Sequence, residues 1–480
     1  MPDIILTTLN ARYVHASLGL RCLLANLGDL APQAVLREFT INDQADRVVE
    51  ALLALSPRLV ACSVSIWNLR ETTRMLGILR AVAPEVRIVL GGPELSHDWQ
   101  GEPVIALADA LVLGEGEAVF PDLCRELLAD DQRRPLRVVA GGTPHLASLP
   151  LPYEYFTDDD LAHRLIHVES SRGCPFSCAF CLSARDERVR RIPLDAFLEA
   201  MDRLLTRGCR CFKFLDRTFN VDDEAACRIL EFFLARWREG LFLHFEMVPD
   251  RLSVRLRQLL ATFPPGGVQL ELGIQSFDPA VLAIIGRRMD VTAAADHLTW
   301  LRTQTGAHLH VDLIAGLPGE TVAGFAAGFD RLWRLRPHEI QVGILKRLKG
   351  TPLAEADHGL RFNPEPPYDL LAGPLWSFTE MQRLRRLART VEVFANRGRF
   401  TGAFALLVGD ASPFTALSAF ADWLQTQATG DHGLSQERQY AFVLRHLCEI
   451  SGVQTAVAQA TLRQDYLRQG NERHLPECLR

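Results

Sequence analysis

The sequence predicts an α/β protein: an N-terminal doubly wound domain, a partial barrel of six strand–helix units, and an α-helical C-terminal domain. Short apolar runs alternate with helical periodicity down to about residue 350, the pattern of parallel sheets wound by crossover helices. Several of those runs end in glycine or polar turns, where open parallel sheets hold their ligands. After Asn363-Pro364-Glu365-Pro366-Pro367-Tyr368-Asp369 the apolar spacing becomes helical only. These shifts divide the chain into 1–128, a linker 129–160, then 161–350 and 351–480.

Composition narrows the class. A chain of 480 residues with ordinary apolar content can build several cores. Its 52 Lys and Arg against 58 Asp and Glu leave a net charge of −6, which argues against a large nucleic-acid footprint; no DNA partner is expected. No apolar stretch reaches transmembrane length, and Met1-Pro2-Asp3 leads into a strand rather than a signal peptide, so no membrane partner is expected. Eleven cysteines are too few for a disulfide scaffold and point to the reducing cytoplasm.

In the first domain, strands are predicted at 3–8, 35–41, 59–65, 86–90 and 110–113, with helices at 17–27, 69–83 and up to 128. The strand ends carry Asn10, His15, Ser63, Ser65, Gly91, Gly92 and Gly114. Glycine at such turns lets a large ligand approach the backbone. The first strand is not followed by G-x-G-x-x-G, so a dinucleotide is not expected. The linker, with a charged run at 130–135 and Leu149-Pro150-Leu151-Pro152, reads as an extended strap.

The barrel strands are predicted at 165–170, 211–215, 241–248, 268–273, 308–315 and 339–345. The C-terminal helices are predicted from 378 onward, then at 416–427, 435–451 and 453–469. Arg383, Arg385, Arg386 and Arg389 line the first of them, as a solvated face or a contact for an anionic partner.

The most informative stretch follows the first barrel strand. Cys174, Cys178 and Cys181 stand in the spacing C-x3-C-x2-C, with Arg172-Gly173 before them. A four-iron cluster normally takes four thiolates. Three leave one iron open to a small molecule that chelates through an amine and a carboxylate. Zinc would want a fourth Cys or His at a matching spacing, and none lies close by.

This motif resembles that of the radical S-adenosylmethionine (SAM) superfamily. The resemblance implies a [4Fe-4S] cluster on Cys174, Cys178 and Cys181 and reductive cleavage of SAM to a 5′-deoxyadenosyl radical. It places Phe180 near the adenine, and Asp216, Glu246, Gln275, Ser276, Asp312 and Gly316 among the SAM contacts at strand ends. Asp312 to Thr321 and Gly273-Ile274-Gln275-Ser276 carry the match beyond the cysteines. A carboxylate within an apolar strand needs a buried partner, which favours function for Glu246 and Asp312.

The N-terminal domain is similar to the cobalamin-binding domain that precedes many radical SAM barrels. That likeness implies cobalamin against Asn10, His15, Ser63, Ser65, Gly91, Gly92 and Gly114. His15 stands as a cobalt ligand or as a hydrogen-bonded loop histidine; the D-x-H-x-x-G pattern of other cobalamin proteins lacks its Asp here. The helical tail is similar to an uncharacterised extension on one branch of these proteins. The family implies methylation of an unactivated carbon or phosphorus on a small-molecule or peptide substrate, with a flavodoxin or ferredoxin as electron donor. Two other readings stay open. A methylthiotransferase would need a second cluster, for which Cys22, Cys62 and Cys124 are the available thiols. A non-catalytic iron–sulfur or cobalamin sensor would bind the same groups without turnover.

Overall fold

A computed structural model describes residues 1–130, 132, 134–186, 188–427, 434–470 and 475–480. Asp131 and Arg133, in the charged run of the linker, lie outside the described residues. By packing the chain forms two compact units. The first is Met1–Glu246 with Arg347–Ala356 and Asn363–Tyr368, and the second is Met247–Lys346 with Asp357–Phe362 and Asp369–Arg480. Packing therefore cuts across the bounds read from sequence.

The first unit opens with a six-stranded parallel sheet: β1 (Ile4–Asn10), β2 (Ala34–Thr40), β3 (Leu59–Ser63), β4 (Arg87–Gly91), β5 (Ala110–Leu113) and β6 (Arg137–Ala140). Their spatial order is β2-β1-β3-β4-β5-β6, so the winding reverses between β1 and β3. Helices α1 (Leu18–Ala25), α2 (Ala45–Leu53), α3 (Leu69–Val82) and α4 (Phe120–Ala129) cover the sheet. Every residue of β1 is buried. Ile5 and Leu9 join the core that holds Leu76 and Leu79 of α3, while Ile4 and Leu6 join Leu20 and Leu24 of α1. Two-sided burial explains why this strand is a continuous apolar run rather than an alternating one.

The linker is more structured than a strap. Its residues 137–140 form β6, parallel to β5. Three of the four are exposed, and an edge strand facing water carries no apolar alternation to announce it. Further on, Thr157 and Asp160 cap a short helix reciprocally. Asp160 also holds Arg21 of α1 at 2.8 Å. Arg21 is 2 % exposed and meets Glu38 of β2 at 2.9 Å as well; Arg164 meets Glu38 at 3.2 Å. These buried pairs fasten α1 to the chain entering the barrel strands.

The six predicted barrel strands all form. The first unit holds β7 (Ile166–Val168), β8 (Cys211–Phe214) and all but the last residue of β9 (Phe242–Met247), with β8 pairing parallel to both others. The second unit holds β10 (Val268–Gln275), β11 (His308–Ala315) and β12 (Glu339–Ile344), parallel in that order. Burial alternates strictly along β10 and β11. The C-terminal part is helical, as expected: α5 (Phe378–Thr390), running into a π-helical turn at Val391–Ala395, then α6 (Thr401–Val408), α7 (Pro413–Gln427), α8 (Gln436–Glu449) and α9 (Thr455–Leu467). Among the described residues no single helix is long and apolar enough to cross a membrane; the bent pair α6–α7 passes that test by length and composition.

Candidate active site

The three cysteines lie in a loop closed at its base. Ser171 and Arg172 pair antiparallel with Arg191 and Arg190, and Cys174 N donates to Asp186 O at 3.0 Å. Gly173 has φ +92°, and a Cβ there would strike Arg188 O, so the turn requires glycine. Cys181 N donates to Cys178 O at 3.0 Å, which curls the third thiol back towards the second. Burial raises the Cys174 thiol pKa, and the neighbouring Cys181 and Cys178 raise it further. Among the described residues no three Cys, His, Asp or Glu side chains are gathered at metal-holding distance. The donor type and shared loop of the three thiols fit a thiolate-held cluster.

Asp216, at the end of β8, fastens this loop. Its Oδ1 accepts from Ser170 Oγ and Ser171 Oγ, both at 2.6 Å, and its Oδ2 accepts from Ser170 N at 2.9 Å. Burial raises its pKa, against the lowering effect of those hydrogen bonds. The geometry thus spends this carboxylate on the loop. Phe180 is half-buried in the loop, and Glu246 of β9 lies 3.7 Å from Arg217.

Arg172 is the hub beside the loop. Its Nη1 is 2.9 Å from Glu115 and 2.7 Å from Glu117, on the turn after β5; its Nη2 is 2.7 Å from Glu169 and 3.5 Å from Cys22 Sγ. Arg190 holds Glu115 from the other side. Burial alone would lower the Arg172 pKa, yet the carboxylates keep it raised and charged. Burial pushes Glu169 up despite Arg172.

Glu169, Arg172, Glu115 and Glu117 line a cavity of about 340 Å³ at the carboxyl ends of the first sheet. Leu18, Gly19 and Cys22 of α1, Ser63, Gly91, Gly92 and Gly114 complete much of its wall. At Gly19 an added Cβ would meet nothing within 4 Å, and at Gly114 nothing nearer than 3.9 Å. Glycine there leaves room for a ligand rather than for protein. Gly92 differs: a Cβ would strike the backbone of Val64.

Four of the seven residues expected against cobalamin therefore line the cavity, and three do not. Asn10 is a loop brace, donating to His15 O and Glu38 Oε1, both at 3.0 Å. Ser65 donates its N–H to Asn68 Oδ1 at 2.8 Å as α3 begins. His15 stacks on His167 at 5.6 Å, and burial lowers its pKa, aided by Lys213 and Arg12. The lining therefore favours the loop-histidine reading of His15. Cys22 and Cys62 line the cavity, but burial raises both pKa values, Cys62 to about 12. Cys22 lies within α1 and Cys62 within β3, not in the strand-end loops where a cluster would be held.

In the second unit, Gln275 is the most unusual of the expected SAM residues. It has φ +69° at a register shift in the β10–β11 pairing, and its Oε1 is buried without a hydrogen-bond partner. A strained, unsatisfied acceptor at a strand end is a functional-site signature. Ser276 is committed to protein: it donates to Glu320 Oε1 at 2.7 Å and accepts from Asp278 N. Burial pushes Glu320 up to about 8. Gly316 has φ +92° and faces Leu370 and Met381, so packing accounts for its glycine.

Asp312 belongs to a rung that sequence reading missed. The register aligns Glu271, His310 and Glu339 across β10, β11 and β12. His310 Nδ1 is 2.8 Å from Glu339 and its Nε2 is 3.2 Å from Asp312; His308 Nε2 meets Glu339 at 3.1 Å. Burial opposes charge on His310, but hydrogen bonds to Asp312 and Glu339 prevail and raise it to about 10. Glu339 is held well below the usual carboxylate range by its bonds to His308 and His310. The signal was present: His308, His310 and Asp312 alternate, and alternation on a strand means one face.

Two family models match the two sheet-bearing parts of the chain. The B12 binding domain family matches residues 4–124 and the Radical SAM superfamily matches 168–331. Residues 356–480 match the protein of unknown function family DUF4080.

Among its relatives are the cobalamin-dependent radical SAM methyltransferase TokK of Streptomyces tokunonensis, 26 % identical over 68 % of this chain and 52 % of that one, and the 2-(S-pantetheinyl)-carbapenam-3-carboxylate methyltransferase of Streptantibioticus cattleyicolor, 26 % identical over 65 % and 51 %. The chain spans about half the length of these two curated relatives. Its fold is that of the methyltransferase TsrM from Kitasatospora setae, solved with cobalamin and a [4Fe-4S] cluster (TM-score 0.59, 17 % identity, 98 % of this chain and 100 % of that one). It is also that of OxsB, solved with aqua-cobalamin and SAM (TM-score 0.58, 13 % identity, 99 % and 85 %).

Proposed function

We propose that this protein is a cobalamin-dependent radical SAM methyltransferase of the cytoplasm. The observation that carries the reading is the shared wall: Glu169 and Arg172, just before the cysteine loop, line the same cavity as the glycine turns of the first sheet. When bound, a [4Fe-4S] cluster supplies the electron that cleaves SAM, and cobalamin supplies a methyl carrier.

The chain's own residues then have defined tasks. Cys174, Cys178 and Cys181 would hold the cluster as thiolates, and Asp216 fixes their loop through Ser170 and Ser171. Gln275 offers an unsatisfied carbonyl oxygen to the amino group of SAM. The family resemblance sets Asp312 and Glu246 among the SAM contacts, and Phe180 would offer an aromatic face to the adenine. Gly19, Gly91 and Gly114 would let the corrin approach the backbone, while Leu18 and Leu23 would exclude water beside it. The substrate is a small molecule or peptide methylated at an unactivated carbon or at phosphorus, and a flavodoxin- or ferredoxin-type protein supplies electrons.

Anaerobic purification from cobalamin-fed cells tests this. The expected result is about one cobalt and about four iron per chain, with 5′-deoxyadenosine or S-adenosylhomocysteine formed from SAM under reductant. About eight iron per chain would indicate the methylthiotransferase class instead. Cluster and cobalt without SAM turnover would leave a sensor. A cluster without cobalt would sink the methyl-transfer reading.

A further inference from the structure

We infer that the DUF4080 domain carries a second binding site, for a small amphipathic organic anion, independent of the cofactor reading above. A cavity of about 440 Å³ lies between α5, its π-helical turn and α7. Its volume suits a small molecule. Arg385, Arg386 and Arg389 line one side, and Val393, Phe394 and Leu424 provide apolar surface on the other. The arginines follow helical spacing, so one face of α5 presents them together. The opposite stripe, Met381, Leu384 and Leu387, is buried in the domain core. The arginine face is therefore concave lining rather than a plain solvated surface.

The charges are unbalanced. Asp369 holds both Lys346 at 2.8 Å and Arg385 at 2.5 Å. Asp422 holds both Arg386 at 2.7 Å and Arg383 at 3.1 Å. Among the described residues these two carboxylates thus serve four cations, and Arg385 Nε is buried without a hydrogen-bond partner. Excess positive charge in a concave, partly apolar setting attracts an anion more strongly than a flat surface does. Guanidinium forks match carboxylate or phosphate oxygens in pairs. The apolar side then selects a head group that carries a hydrocarbon or aryl body. The helix also departs from α geometry here: Val393 and Phe394 belong to the π-helical turn, a distortion that recurs at functional sites.

Calorimetric titration of the full-length, anaerobically purified protein tests the site with octyl phosphate, octanoate and inorganic phosphate as probes. The expected result is saturable one-to-one binding of octyl phosphate or octanoate; which of the two binds tighter identifies the head group. The double variant Arg386→Gln, Arg389→Gln should weaken it about tenfold or more. Leu424→Trp keeps every charge but fills the cavity, and should abolish binding. Both variants should retain the iron and cobalt content of the parent. In the unaltered protein, octyl phosphate should also protect Arg386 and Arg389 from phenylglyoxal, read by peptide mass, a measurement that needs no variant to fold. Equal affinity for inorganic phosphate would overturn the amphipathic ligand. Absence of saturable binding by either amphiphile, or binding that neither variant changes, would overturn the site.

Discussion

The strand ends of the first sheet present backbone and apolar surface, whereas the alternate face of β10–β12 presents fixed charge. In the wall of the first cavity, an added Cβ at Gly19 would meet nothing within 4 Å and at Gly114 nothing nearer than 3.9 Å. Its charged residues are already paired with one another through Arg172. On β10–β12 an imidazolium sits between carboxylates in one cross-strand rung. The first arrangement offers shape: room beside backbone and an apolar wall. The second offers charge, and the charge on His310 depends on its protonation.

The largest expected effects break the cluster side of the comparison. Replacing any one of Cys174, Cys178 or Cys181 with Ala should remove most cluster iron and the associated visible absorption, while the cavity should still retain cobalt. Next is Arg172→Met. It leaves Glu115, Glu117 and Glu169 facing one another without their shared cation, and removing one partner of a buried ion network costs about 3–5 kcal/mol. Denaturant unfolding should show that loss, and cobalt retention should fall with it.

Gly19 then sharpens the claim of shape selection. Gly19→Phe should exclude cobalamin while leaving iron content intact. Gly19→Ala should raise stability by about 0.5–1 kcal/mol, because the position is helical and unobstructed. A stable, cobalt-loaded Gly19→Phe protein would refute the placement of the ligand in this cavity.

The smallest effect separates the two regions by pH. His310 is raised to about 10 from an ordinary 6.5. Its contribution to stability is complete below pH 6.5 and is lost as pH climbs through about 10. Glu339 is depressed, so its contribution is present above the usual carboxylate range and is lost only in strong acid. Unfolding free energy measured between about pH 7 and pH 10 should fall in the parent and fall less in His310→Gln. Equal slopes would remove His310 as the charged centre of the rung.

What the sequence revealed followed from how local each feature is. The cysteine loop was legible because its three thiols and Gly173 are contiguous. The glycine turns were legible because they end apolar runs. The Arg172 hub was not, since it joins residues 57 positions apart, from Glu115 to Arg172. β6 was missed because an exposed edge strand has little apolar pattern. His15 drew attention as a histidine near a strand end, but its stacking on His167 depends on a strand more than 150 residues away. Ser276 and Gly316 lie in a well-matched motif, yet Glu320 and Leu370 account for them.

One feature of the chain path bears on how this protein can be cut. Residues 347–356 and 363–368 lie past the last barrel strand but pack with the first unit. Lys349 meets Glu94 at 3.0 Å and also Glu102, Tyr368 donates to Glu94 at 2.7 Å, and Leu353 N donates to Ala179 O within the cysteine loop at 2.8 Å. This returning stretch therefore links the rim of the glycine cavity to the cluster loop. A truncation after Lys346, the natural choice for isolating the front two domains, would strip the loop of that donor and leave Glu94 and Glu102 without their cation. A fragment meant for crystallisation or for grafting onto another tail should instead run through Tyr368.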